Sequence, residues 1–140
     1  YSTSEKHEAF IAYTNSKDKL PLSAGMILMK YIFRTMGFSG AVRMLKFIAG
    51  GGESYETAVK KSKKPYIFVG LVAVKKEYQG QGYMRKVLDI AFEEGRKRGC
   101  PVLLETDAVL KRDKYVHLGM KNVRTRKLDD SSYLYDLVKK

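Results

Sequence analysis

The run YIFVGLVAV, residues 66–74, constrains this chain more than any other segment. It is nine positions long, carries no charge and is rich in β-branched and aromatic side chains. Such a stretch reads as a strand buried on both faces, hence central in a sheet. KKEYQGQG follows it, and then a segment in which Met84, Val87, Leu88, Ala91, Phe92 and Gly95 make the apolar face of a helix over 84–98. A buried strand that leads through a glycine-bearing turn into a long helix is an arrangement suited to anion binding.

The other segments arrange themselves around this unit. Residues 7–14 read as a strand and 15–19 as a polar turn. Met26, Met29, Ile32, Phe33 and Met36 fall at helical spacing, with Ser23 as a possible N-cap, until Gly37 and Gly40 break the pattern. Residues 41–49 form a second short helix, ended by three glycines at 50–52. A polar helix is expected over 53–63, with lysines at its C-terminal end and Pro65 stopping it. Glu93–Lys97 and Glu94–Arg98 are i,i+4 pairs on a solvated face of the 84–98 helix, and Gly99 caps it. A strand over 102–106, a helix over 111–118 closed by Gly119, and strands over 121–128 and 133–138 joined by a hairpin at 129–131 complete the chain. This order predicts an α/β fold with a mixed sheet.

Composition bounds the function classes. With 140 residues, 44% of them hydrophobic and 30% charged, the chain suits one compact domain and not a disordered one. The formal charge of +12 points to a polyanionic partner: a nucleic acid, an acidic membrane surface or a phosphorylated cofactor. The basic residues are spread along the chain, which weakens the nucleic-acid reading. Residues 26–33, the most apolar stretch, meet Lys30 and Arg34 and are too short to span a membrane, and the N-terminus does not read as a signal peptide. A single cysteine rules out an internal disulfide and suits a reducing cytoplasm. Cys100, between Gly99 and Pro101, reads as a small buried residue. No His, Cys and Asp cluster has metal-ligand spacing, so no metal is expected.

The turn carries the chemistry. Gly80 and Gly82 free the backbone to curl, and it then enters the N-terminus of the 84–98 helix, where the first amides lack internal partners. A pyrophosphate fits such a nest, with Arg85 and Lys86 adding charge. The loop lacks the Gly-Lys-Ser/Thr ending of a Walker A motif and the third glycine of a dinucleotide fingerprint.

Taken with the strand at 102–106 and DKYVHLGM at 113–120, the segment Gln79-Gly80-Gln81-Gly82-Tyr83-Met84 resembles the phosphate loop of the GNAT acetyltransferase superfamily. Gln79 and Gly82 match the motif, and Met84 departs from it at the last position. Tyr115, four residues before Gly119, resembles the family's Tyr-x-x-x-Gly turn. Within the superfamily, the paired helices over 26–49 and the LLET strand end look closest to the branch that includes puromycin N-acetyltransferase. The likeness is specific from 66 to 123 and loose before it.

The resemblance implies a GNAT-like acyltransferase fold in a single domain, with a partial N-terminal part at 1–65 and an acetyl-CoA-binding core at 66–140. The family's first strand and helices would precede His7 and are not in this sequence. It also implies N-acetyltransfer from acetyl-CoA to an amine of a small molecule or protein, by direct attack. The 66–74 strand would splay from its neighbour so that Val72, Ala73 and Val74 meet the pantetheine arm. Gln79, Gly80, Gln81, Gly82, Tyr83, Met84 and Arg85 would hold the pyrophosphate. Tyr115 would protonate the departing thiolate, or else pack on the core as an ordinary aromatic. Glu105 is the candidate base, or else a strand-end carboxylate in an ion pair; Glu77 and His117 are weaker candidates. Ala108 stands where many members carry Asn. Two other readings stay open: a non-catalytic acyl-CoA-binding regulatory domain and a basic nucleic-acid-binding module. A homodimer paired through the 133–138 strand is a further expectation.

Overall fold

The computed structural model describes residues 1–18 and 50–140, together with Ser23, Met26, Ile27, Lys30, Tyr31, Phe33, Arg34, residues 37–40 and Val42. The expected helix over 41–49 lies outside the described residues apart from Val42, as does much of the Met-rich helix before it. Among the described residues one sheet forms, from β1 (Ala9–Asn15), β2 (Ile67–Val74), β3 (Val102–Thr106), β4 (Lys121–Lys127) and β5 (Tyr133–Lys139). The spatial order is β1-β2-β3-β5-β4. Only β2 and β3 run parallel; the other pairs are antiparallel. Parallel neighbours need a long crossover. Here it is the helix α2 (Tyr83–Arg98), with α1 (Tyr55–Lys61) and α3 (Val109–His117) flanking the sheet.

Side-chain periodicity decides which face each element buries. Val87, Leu88, Ala91, Phe92 and Gly95 of α2 are buried against Ala9, Ile11, Val102, Leu104 and Leu137 of the sheet. Full burial of each Val- or Leu-sized side chain stabilises by about 1.5–3 kcal/mol. The other parity of the strands faces the opposite side, where Tyr66, Leu103 and Val138 pack with Tyr55 and Val59 around α1. Ser54 caps α1 by accepting from the Thr57 amide at 3.1 Å, and Lys60 and Lys61 stand in its last turn. The last turn of α2 closes with Cys100 N–H on the Gly95 carbonyl at 3.0 Å and Gly99 N–H on that of Arg96 at 3.2 Å. This double closure satisfies carbonyls that the helix leaves unpaired.

Three expectations need correction. The strand over 66–74 is not buried on both faces along its length. Ile67 and Val69 are buried, but Gly70, Leu71 and Ala73 are exposed, because β3 runs beside only the first part of β2. The pairing of Glu93 with Lys97 is replaced by Glu93 with Arg96, one residue closer, whereas Glu94–Arg98 forms as expected. A dimer through 133–138 has no free edge to use, since β5 lies between β3 and β4. No helix among the described residues is long and apolar enough to cross a membrane.

Gly95 sits where α2 meets the strand after it. A Cβ there would lie 2.7 Å from Val102 Cγ2 and 3.0 Å from the Cys100 carbonyl oxygen. In an open helix, Gly to Ala gains about 1 kcal/mol. Overpacking against a stiff, buried valine costs about 1–3 kcal/mol. Gly95→Ala should therefore lower the unfolding free energy by about 1 kcal/mol in a urea titration, against the helix-propensity trend.

Candidate functional site

β2 and β3 pair over only three residues, Ile67 with Val102, Phe68 with Leu103 and Val69 with Leu104. The register of β2 with β1 jumps at the same place: Tyr13 faces Val69, Ala12 faces Leu71, and Gly70 is the extra residue. A bulge bends its strand and re-aims the residues beyond it. β3 continues along β5 through Thr106, paired with Tyr135. Among the described residues, positions 71–74 of β2 have ladder partners on β1 alone, so their other edge faces a cleft.

The cleft has a volume of about 1090 Å³, and three parts of the chain meet in it. The first is the free edge of β2, with Leu71, Val72 and Val74. The second is the loop after β2. A single helical turn at Lys76–Tyr78 carries the chain into Gln79, whose side-chain Nε2 donates to the Val74 carbonyl at 3.2 Å. Gly80 and Gly82 both have φ of +80°, a backbone that side chains resist, although a Cβ at either would meet nothing within 4 Å. Gly82 occupies the N-cap of α2 and offers no side-chain cap bond, so the first-turn amides remain open to a ligand. Tyr78 and Tyr83 meet edge-on at 5.5 Å across the loop, and Lys86 lies over the Tyr83 ring at 4.4 Å. Arg85 lines the cleft and makes no ion pair among the described residues.

The third part is the far wall, from β3 and α3. The Tyr115 ring is buried, and among the described residues nothing hydrogen-bonds its hydroxyl. No buried side-chain oxygen or nitrogen among the described residues is left unpaired, so that hydroxyl opens on the cleft. Burial pushes the phenol above its ordinary pKa, which keeps it protonated near neutrality. α3 begins at Ala108 with no side-chain cap bond, as expected from the missing Asn. His117 also lines the cleft, whereas Glu77, Ala73 and Gln81 do not. The Gln81 side chain turns back to donate to the Glu77 carbonyl at 2.9 Å. Cys100 is buried under α2, and that burial raises its thiol. No group of three or more His, Cys, Asp or Glu among the described residues could hold a metal ion.

Glu105 reaches the cleft at the end of β3 and also pairs with Arg126 Nη2 at 2.9 Å. Burial raises its pKa, Arg126 works against that rise, and Asp136 adds to it. Arg126 and Asp136 are 7% and 2% exposed and were not foreseen from the sequence. A signal was present: Asp136 is a lone acid inside the apolar run YLYDLV. Buried acids are normally paired. Gly70, Leu71, Leu128 and Leu134 of the lining were missed as well, because small and apolar residues give no chemical signal.

A model of the acetyltransferase (GNAT) family matches residues 24–117, about two thirds of the chain. The chain belongs to the GNAT acetyltransferase family. No curated protein matches it. Among solved structures, the chain resembles a protein of Agrobacterium tumefaciens described as an acetyltransferase, with 29% identity, TM-score 0.49, and 53% of this chain and 56% of that one covered. It also resembles the ribosomal-protein-S18-alanine N-acetyltransferase of Escherichia coli, with 25% identity, TM-score 0.45 and 52% of each chain covered. The chain spans little more than half the length of these two relatives. The polyamine N-acetyltransferase of Drosophila melanogaster shares the fold over more of the chain. Identity there is 12% and the TM-score 0.55, with 94% of this chain and 68% of that one covered. The mixed five-stranded sheet is thus a GNAT fold. The family match does not single out the puromycin-like branch.

The left-handed backbone at Gly82 is open to a stability test. Gly82→Ala should cost about 1–2 kcal/mol, the usual penalty for a side chain in that conformation. Gly70→Ala, where a Cβ meets nothing within 4 Å, should change stability by under about 0.5 kcal/mol. Urea unfolding of the two variants beside the parent gives both numbers.

Proposed function

We propose that this chain transfers an acetyl group from acetyl-CoA to an amine by direct attack. One observation carries the reading: the free edge of β2, the uncapped start of α2 and the unpartnered Tyr115 hydroxyl all open on one cleft. An open edge suits a ligand with amide groups, and a helix N-terminus behind two left-handed glycines suits a pyrophosphate. A volume of about 1090 Å³ leaves room for a long ligand.

When bound, acetyl-CoA supplies an acetyl thioester, a carbonyl carbon open to an amine. The residues then divide the work. Gln79, Gly80, Gly82, Tyr83, Met84 and Arg85 hold the pyrophosphate end. The backbone of Val72 and Val74 pairs with the pantetheine amides, and an amide near Val72 polarises the acetyl carbonyl. Glu105 takes a proton from the acceptor ammonium and leaves it a nucleophilic amine. Tyr115 gives its phenolic proton to the departing thiolate. The raised carboxylate suits the base task, whereas the raised phenol stays protonated but is a weaker acid than an exposed one. The acceptor is an amine of a small molecule or a protein.

A second reading, a CoA-binding regulatory domain without turnover, draws on the uncapped start of α3 at Ala108. Calorimetry and turnover separate the two. The parent chain should bind acetyl-CoA, and Gly82→Glu should abolish binding by placing a carboxylate in the phosphate nest. Free thiol release should appear with at least one of a polyamine, agmatine and a peptide with N-terminal alanine. Binding without release from a wider amine panel would favour the regulatory reading, and no binding would remove both. Tyr115→Phe should lower turnover by about 100-fold or more, with the acetyl-CoA dissociation constant nearly unchanged. Equal turnover in the two proteins would take the acid role away from Tyr115.

A further inference from the structure

Glu105 and Asp136 are directly opposed across the β3–β5 ladder. Like charges at opposed positions repel, and here Asp136 is buried and Glu105 half-buried. Arg126 resolves this. It lies on β4 opposite Leu134, two positions along β5 from Asp136, and its side chain reaches over β5. One nitrogen, Nη2, bridges the two acids, at 2.8 Å from Asp136 Oδ1 and 2.9 Å from Glu105 Oε2. Nε adds a second bond to Asp136 Oδ1 at 3.2 Å, and Nη1 reaches the Gly52 carbonyl at 3.5 Å.

Asp136 is held from its other side. Its Oδ2 accepts the Tyr55 amide at 2.8 Å, at the start of α1. The Ser54 hydroxyl acts on Glu105, and Arg124 donates to the Glu53 carbonyl. The guanidinium is therefore fixed by β5 and by the backbone of residues 52–55 before it meets Glu105. Asp136 and Arg126 are closed off from the cleft, while Glu105 lines it. Two carboxylates share one cation, and the one with access to a ligand is Glu105.

We infer that Arg126, anchored by Asp136, is a positioning residue that fixes the Glu105 carboxylate at the cleft wall and governs its protonation. Its catalytic consequence rests on the reading of Glu105 as the base; the coupling itself does not. Arg126 opposes proton uptake by Glu105 and Asp136 promotes it. These are the charged side chains that act on Glu105, from β4 and β5, with the Ser54 hydroxyl beside them. Losing one or the other must therefore move Glu105 in opposite directions. A purely structural role for the network predicts no such pair of signs.

The test is an NMR titration of the whole chain, labelled with ¹³C at glutamate Cδ. Glu105 is assigned by the resonance lost in Glu105→Gln. In Arg126→Gln its titration midpoint should move to higher pH, and in Asp136→Asn to lower pH. Removing one partner of a buried pair destabilises strongly. If Arg126→Gln does not give a dispersed spectrum, the double variant Arg126→Gln/Asp136→Asn is compared with Asp136→Asn alone. The midpoint should then be higher in the double variant. A Glu105 midpoint that ignores the loss of Arg126, or moves the same way in both single variants, overturns the inference. Turnover of Glu105→Gln is measured in parallel. Unchanged turnover there would remove the base role and leave the Arg126 coupling standing or falling on the titration alone.

Discussion

The short pairing of β2 with β3 is the constraint on which the rest of the structure depends. Three paired residues are enough to anchor the parallel pair. The bulge at Gly70 then turns β2 away, while β3 stays on β5. Strand edges normally find partners, because unpaired amides and carbonyls cost free energy when buried. Here the free edge faces a cleft of about 1090 Å³ and can be hydrated or bound. The exposed second half of β2 stems from this divergence, and the open start of α2 and Tyr115 line the cleft beside it. A fully paired β2 would close the cleft.

Behind the cleft a second device holds the sheet together. Arg126 joins β3, β4 and β5 through Glu105 and Asp136 and reaches the segment before α1 through the Gly52 carbonyl. Burial works against the guanidinium charge, and the two carboxylates outweigh it, so its pKa is raised further. A buried ion pair is weak evidence for stability, because desolvation offsets much of the attraction. Its effect here is on geometry: the far wall of the cleft and the entry to α1 share one rigid hub.

The parts legible from the sequence were those with a period or a local signature. The apolar face of α2 appeared in Met84, Val87, Leu88, Ala91, Phe92 and Gly95, and the helix starts one residue earlier than expected. Gly80 and Gly82 were marked as turn residues, and both take the left-handed conformation that favours glycine. Glu105 and Tyr115, chosen from separate segments, line the same cleft. The burial of β2 was overestimated, because composition reports how apolar a strand is and not how far its neighbour accompanies it. Arg126 escaped notice because a charge on a Lys/Arg-rich edge strand reads as solvated until its partners are known.

The sequence by itself determined the α/β alternation, the α2 face, the glycine turn and the family resemblance carried by residues 79–84 and 113–120. These depend on interactions within a few residues of one another, so local order is enough to specify them. The tertiary structure alone decided where β2 and β3 part, that β5 is interior with no edge to offer, and that Glu105 and Asp136 share Arg126. Those features join separate parts of the chain; Arg126 alone meets Asp136 and Glu105 across 10 and 21 positions. Their energies come from strand register and desolvation, which do not exist until the sheet has formed.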